Sequence, residues 1–386
     1  MGIVLFITSG GSSLSAHRFS SGVVLVDRYQ IERFLAAGGM QDVYVCFDQA
    51  LDRKVVMKTP KDGVQDRRFR RGAEMGARIN HSNVAATFDY FEDATLTFMI
   101  EEYIEGQDIG KRLASDFLFM DPSLASHVIH HIARALHEAH RVGICHRDLK
   151  PSNIMASSDG ALSVIKLTDF GIAKLAEGEI ATEMERFTRD NATLTSSNTL
   201  LGAVPYMAPE CWANWTDAGQ PMDIWALGCI GYQLITGQPP FGTGQLAIRN
   251  VVMAEVHGVQ LQKPAWFNKH PSTRQLEQEL WEIILSCIQV DPTARPSASD
   301  VVAACDNLCY AAAPRKIGTI NRFGVGYASG GRSNAGNITD GATNQSLFFH
   351  GSDYFGSMPP ASGQRVNFSV YPGVPSARCS PVLLLQ

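Results

Sequence analysis

The hydrophobic periodicity of this chain changes at Gly106, and that change restricts the folds open to it. Before Gly106, Val43-Tyr44-Val45-Cys46-Phe47 and Lys54-Val55-Val56-Met57-Lys58 are β-branched or aromatic runs that read as strands, with Ala50-Leu51-Asp52-Arg53 as the turn between them. Arg67 to Ile79 reads as a helix, although Gly72 and Gly76 each cost it about 1 kcal/mol relative to alanine. After Gly106 the spacing becomes helical. Ser123 to Arg141 carries Val128, Ile132, Ala135, Leu136 and Ala139 at helical intervals. Asp223 to Thr236 is a second helix, closed by Gly237 and Pro239-Pro240. Leu276 to Val290 is a third, and Ser297 is placed as the N-cap of a last helix reaching about Tyr310. The chain is therefore α+β, with a small strand-rich part followed by a larger helical one.

Its 386 residues leave room for one two-lobed domain of roughly 250–300 residues plus tails. A net charge of −5 argues against a nucleic-acid binder. The eight cysteines form no C-x-x-C pair. Cys305 and Cys309 share a helix face with no second ligand pair after them, so free thiols in a reducing cytoplasm are expected. Met1 to Ile7 is apolar but lacks a basic flank, and Phe6 rules out the myristoylation pattern at Gly2. No apolar run reaches the ~18 residues of a membrane helix, so no membrane anchor is expected. Residues 1–26 are rich in Ser and Gly and read as a flexible leader. Residues 313–386 are rich in Gly, Ser, Asn and Pro, with sparse charge, and read as a flexible tail. The alternative for the tail is that its aromatics, among them Phe348, Phe349, Tyr354 and Phe355, dock on the folded domain.

His146-Arg147-Asp148-Leu149-Lys150-Pro151-Ser152-Asn153 carries the chemistry. Asp148 can accept a proton from an attacking hydroxyl, Lys150 can neutralise a moving phosphate, and Asn153 can ligate Mg²⁺. The stretch resembles the catalytic loop H-R-D-L-x-x-x-N of protein kinases. Asp169-Phe170-Gly171 and Ala208-Pro209-Glu210 follow in the family order. The resemblance runs from residue 27 to about 312 and points to bacterial Ser/Thr kinases of the eukaryotic-like (Hanks) type. It implies a bilobal fold, with a β-rich N-lobe over 27–105 and a helical C-lobe over 106–312. It also implies transfer of the γ-phosphate of Mg²⁺-ATP (or Mn²⁺-ATP) to Ser or Thr hydroxyls of protein substrates. The rival reading is a pseudokinase or weakly active ATP-binding scaffold.

The same resemblance distributes the nucleotide contacts. Leu35 to Val43 is similar to the glycine-rich loop, keeping Gly38 and Gly39 and ending in Val43, while Ala36 and Gln41 replace two family glycines. Val55-Val56-Met57-Lys58 resembles V-A-I-K, which gives Lys58 the α- and β-phosphates. The family's helix glutamate falls at Gly72, nine residues before His81, so Glu74 is expected to serve Lys58 in its place. The backbone of Glu102 and Ile104 is expected to bond adenine, Asp108 to reach the ribose, and Val56 and Met155 to sandwich the ring. Asp169 and Asn153 are the expected metal ligands.

Arg147 beside the catalytic acid resembles kinases switched on by activation-segment phosphorylation. Thr193, Thr195 and Thr199 are the best-placed acceptors, and a transient homodimer for autophosphorylation in trans is expected with them. Ala203 stands where the family has a threonine that bonds the catalytic acid and lysine. By the same resemblance, Glu210 is expected to pair with Arg295, and Asp223 to bond the backbone of the catalytic loop.

Overall fold

The computed structural model describes residues 17–37, 41–61, 67–170, 202–213, 218–310, 314–324, 332–374 and 377–386. The chain divides into two compact units, one of residues 1–65 and 88–103 and the other of residues 66–87 and 104–386.

The first unit is a sheet of β1 (Val24–Leu25), β2 (Tyr29–Ala37), β3 (Gln41–Asp48), β4 (Arg53–Pro60), β5 (Thr87–Glu92) and β6 (Thr97–Glu102). Its strand order is β1-β2-β3-β4-β6-β5. Alternation sends Tyr44, Cys46, Val55, Met57, Phe98 and Ile100 to one face, where they form a buried core with Leu25, Tyr29 and Ile31. The opposite face carries Val43, Val56, Lys58, Met99 and Glu101. Its register is set by the antiparallel pairs Val43↔Lys58, Lys58↔Met99 and Val56↔Glu101. Part of the expected leader is built into this sheet. Gly22 donates its amide to the Ile31 carbonyl at 2.8 Å, and the His17 ring stacks on Phe34 with centroids 3.6 Å apart. Backbone pairing asks for no side-chain pattern, so a Ser/Gly-rich segment can join an edge unannounced.

The second unit contains α1 (Arg67–Ala77), β7 (Gly106–Asp108), α2 (Ile109–Ser115), α3 (Pro122–Arg141), β8 (Ile154–Ser157) and β9 (Ile165–Leu167). It continues with α4 (Pro209–Ala213), α5 (Gln220–Thr236), α6 (Gly244–His257), α7 (Arg274–Cys287) and α8 (Ala298–Asp306). Asp121 caps α3 by accepting the amides of Ser123 and Leu124. Ser297 and Asp300 close a reciprocal capping box at α8. Gly237 ends α5 in the left-handed region, at φ 80°, and a Cβ there would collide with the Leu118 carbonyl. The helices enclose one apolar core in which Leu136, Trp225, Ile230 and Ile284 are almost fully buried. β7, β8 and β9 form a small antiparallel sheet. The turn at His81–Val84 is pinned to it, because the Asn83 amide donates to the Ile165 carbonyl at 2.8 Å.

The expected flexible tail is instead folded. β10 (Arg315–Phe323), β11 (Ala335–Asp340), β12 (Ser346–His350), β13 (Tyr354–Phe355), β14 (Arg365–Tyr371) and β15 (Arg378–Leu384) form one sheet. Its order is β12-β11-β10-β14-β15-β13, and β12 also pairs with β15. That second pairing closes five strands into a ring and removes their open edges. Ile320, Ile338, Phe349, Val366, Phe368 and Val382 fill the interior. This barrel packs on the helices. Arg315 grips Asp121, the Asn367 amide donates to the Gly160 carbonyl at 2.8 Å, and the Phe355 ring stacks on His270 at 3.7 Å. The strands are short and are separated by Gly-, Ser- and Pro-rich connections. The ordering signal therefore lies in long-range pairing and not in composition.

Candidate active site

The catalytic loop runs from the end of α3 to β8, and a carboxylate from α5 holds it. Asp223, fully buried, accepts the amides of His146 at 2.8 Å and Arg147 at 2.9 Å, and contacts the His140 ring at 2.8 Å. Burial pushes the Asp223 carboxyl up. The hydrogen bonds and positive character of His140, His146 and the Arg147 amide outweigh it, and the carboxyl lies below the usual range. Arg147 sits in the left-handed region at φ 66°, a conformation a non-glycine residue holds only when its surroundings impose it. The His146 ring bonds the Thr168 carbonyl at 3.0 Å, which ties the loop to the strand leading into Asp169.

Within this frame the charged groups interlock. Lys150 Nζ donates to both Asp148 carboxylate oxygens, at 3.0 and 2.8 Å. The Asn153 amide nitrogen donates to the Asp148 carbonyl at 2.8 Å and to its Oδ2 at 3.1 Å. Those donations commit the nitrogen and leave Asn153 Oδ1 for another task. Asp169, also left-handed at φ 65°, follows Thr168, whose amide donates to the Asn153 carbonyl at 3.0 Å. One carboxylate and one amide oxygen suit a hard divalent cation such as Mg²⁺ or Mn²⁺, which takes its remaining ligands from phosphate and water. Among the described residues no cluster of three or more His, Cys, Asp or Glu could hold a metal alone.

In the first unit, Lys58 and Glu101 form an ion pair of 2.5 Å, with side chains only 6% and 10% exposed. Val43 and Val56, half-buried, share their face of the sheet. Glu74, the acid expected on Lys58, is 61% exposed and pairs with Arg70 at 3.0 Å, one helical turn away. The acid at Lys58 is thus Glu101. Helix spacing does not point to it, because Glu101 lies on a strand and meets Lys58 only through cross-strand pairing. Cross-strand register could have found it, since Glu101 faces Val56, two positions from Lys58.

Glu102 ends β6 half-buried and Ile104 is buried. Asp108 caps α2, accepting the Lys111 amide at 2.9 Å, and pairs in register with Met155 on β8. Gly38, Gly39, Thr193, Thr195 and Thr199 lie outside the described residues.

The Ala208-Pro209-Glu210 segment is anchored as the resemblance implies. Arg295 holds Glu210 through two bonds of 2.6 and 2.8 Å, and donates further to the carbonyls of Gln289, Val290 and Pro221. Beside it, Arg147, Asp148, Leu149, Ala203 and Tyr206 line a cavity of about 20 Å³, enough for roughly one water. Arg147 Nη1 is buried with no hydrogen-bond partner among the described residues.

Strand sheet, helical body and an acid–lysine–asparagine loop backed by an Asp-Phe pair together describe the protein-kinase fold. The family model for the protein kinase domain matches residues 29–304, and the chain belongs to that family. It is similar to the serine/threonine-protein kinase PrkC of Bacillus subtilis, 33% identical over 289 residues, which are 72% of this chain and 41% of that protein. It is also similar to PknB of Mycobacterium leprae, 33% identical over 226 residues (56% and 34%). PknA of Mycobacterium tuberculosis is 32% identical over 238 residues (59% and 51%). The chain spans between a third and half of the length of these relatives.

Proposed function

We propose that this chain is an active Ser/Thr protein kinase that moves the γ-phosphoryl group of ATP to Ser or Thr hydroxyls of other proteins. The observation that carries this reading is the Asp148–Lys150–Asn153 cluster. Asp148, held from two sides, is oriented to accept the proton of an acceptor hydroxyl as that oxygen attacks phosphorus. Lys150 balances charge on the group in transit. Asn153 Oδ1 and Asp169 would hold the divalent cation, which neutralises phosphate charge. Lys58 would take the α- and β-phosphates, with Gly38, Gly39, Val43, Val56, Glu102, Ile104, Asp108 and Met155 around the rest of the nucleotide. Catalysis of this kind is mostly positioning and electrostatics. Magnesium-dependent transfer of radiolabelled phosphate by the purified chain tests it. Nucleotide binding with no transfer would favour the scaffold reading.

Regulation by the activation segment belongs to the same reading. A buried guanidinium nitrogen on Arg147 with no partner among the described residues suits a phosphate acceptor. Autophosphorylation in trans at Thr193, Thr195 or Thr199, within a transient homodimer, would supply one. Phosphatase treatment should then lower activity. Changing all three threonines to alanine should block its recovery on incubation with ATP. Full activity in the triple variant would leave Arg147 a structural residue.

A further inference from the structure

We infer that Glu101 is the positioning partner of Lys58, in the place the family gives to a helix glutamate. The inference rests on the reading of Lys58 as the phosphate-contacting lysine. Three observations support it. The Lys58–Glu101 pair is buried and short. Both residues stand on the sheet face that also carries Val43 and Val56. The helix position itself is Gly72, and the nearby Glu74 is turned to solvent and engaged by Arg70.

A buried ammonium needs a carboxylate to remain charged and fixed, and a lysine that contacts phosphates must be both. In the common arrangement the acid comes from a helix whose movement makes or breaks the pair, so helix position controls activity. Here lysine and acid lie on β4 and β6, strands that are hydrogen-bonded neighbours in one sheet. The pair is set by strand register and does not wait for a helix to arrive. Lysine positioning in this kinase is therefore decoupled from helix movement, and control falls on other parts such as the activation segment.

The test separates phosphate contact from general integrity by comparing Mg²⁺-ADP with adenosine, which has no phosphate. Affinities are measured by titration calorimetry. Glu101→Gln should weaken Mg²⁺-ADP about 10-fold, the scale of one charge-assisted hydrogen bond, and leave adenosine within about 2-fold. In a Lys58→Met background, Glu101→Gln should cause no further loss of Mg²⁺-ADP affinity. Equal weakening of both ligands would make Glu101 a structural residue and overturn the inference. So would additive losses, or tighter Mg²⁺-ADP binding, which would mean that Glu101 competes with phosphate for the lysine. A larger loss in Glu74→Gln than in Glu101→Gln would return the role to the helix. Glu101→Asp keeps the charge and covers the case in which the glutamine variant fails to fold. It should retain most of the preference for Mg²⁺-ADP over adenosine, and loss of that preference would equally overturn the inference. If Lys58→Met alone leaves Mg²⁺-ADP affinity unchanged, the reading of Lys58 has failed instead.

Discussion

Arg315 and Asp121 are 194 residues apart in sequence and joined by two hydrogen bonds of 2.7 Å. Their side chains are 4% and 0% exposed. Asp121 also caps α3, the long helix that leads into the catalytic loop. One carboxylate therefore starts that helix and fastens the C-terminal barrel to it.

Breaking this pair should be costly on one side. Arg315→Leu leaves Asp121 buried without its cation, which in comparable pairs destabilises by about 3–5 kcal/mol. The amides of Ser123 and Leu124 still reach Asp121, so the low end of that range is expected. Urea unfolding should show the loss, and hydrogen exchange should place it first in β10 and β14. Unchanged protection in those strands would show that the apolar contacts of Phe355 hold the barrel unaided.

Asp148→Asn removes the proton acceptor but keeps the shape of the loop. The rate of phosphoryl transfer should fall at least ~10²-fold, the usual scale of general-base and positioning effects. Nucleotide affinity should change little. A variant as active as the native chain would remove Asp148 from the reaction.

Ala203 and Asp148 border the same small cavity. Ala203→Thr places a hydroxyl there, within the space now open beside the acid. One recovered hydrogen bond of about 1 kcal/mol corresponds to a rise of a few-fold in kcat. A fall in kcat would mean that the surrounding side chains have adapted to alanine.

Acid should loosen the barrel through Asp340. A hydrogen bond from Lys316, at 2.5 Å, holds this buried carboxyl down to about 2, aided by the Ala342 amide. A carboxyl lowered on folding contributes its full stability above the ordinary value of 3.8 and loses it as pH falls toward 2. Exchange of the β10 and β11 amides should therefore quicken over that interval. Asp340→Asn should lower stability at neutral pH and flatten this part of the acid response. A steep response that survives in Asp340→Asn would assign it to other carboxylates, Asp223 among them.

What could be read from sequence was local. The catalytic loop is contiguous, so Asp148, Lys150 and Asn153 are brought together by a few backbone dihedrals and recognisable from their spacing. α3, α5, α7 and α8 announced themselves by period, two of them also by their ends at Ser297 and Gly237, because capping involves residues only a few positions apart, whereas α2 and α6 did not. Even Glu210 with Arg295, and Asp223 with the loop, were legible, though only through likeness to a family whose motifs occur in fixed order.

What tertiary structure alone decided depends on partners far apart in the chain. Glu101 and Glu102 are adjacent glutamates, and only the β4–β6 register turns the first toward Lys58 and away from solvent. Glu74 is the acid nearest in sequence to the family's helix position, although helix geometry turns it away from that place, whereas the pairing of strands cannot be computed from sequence. The barrel is the larger case. Its strands of five to nine residues, and the two-residue β13, are separated by Gly-, Ser- and Pro-rich connections that dominate the composition. The alternation of Val366, Phe368 and Val370 and the apolar run Pro381-Val382-Leu383-Leu384-Leu385 are local strand signals, but neither says which strands pair. The barrel core exists only when β12 meets β15 and the ring closes, and the anchor that orders it is an arginine matched to an aspartate 194 positions earlier.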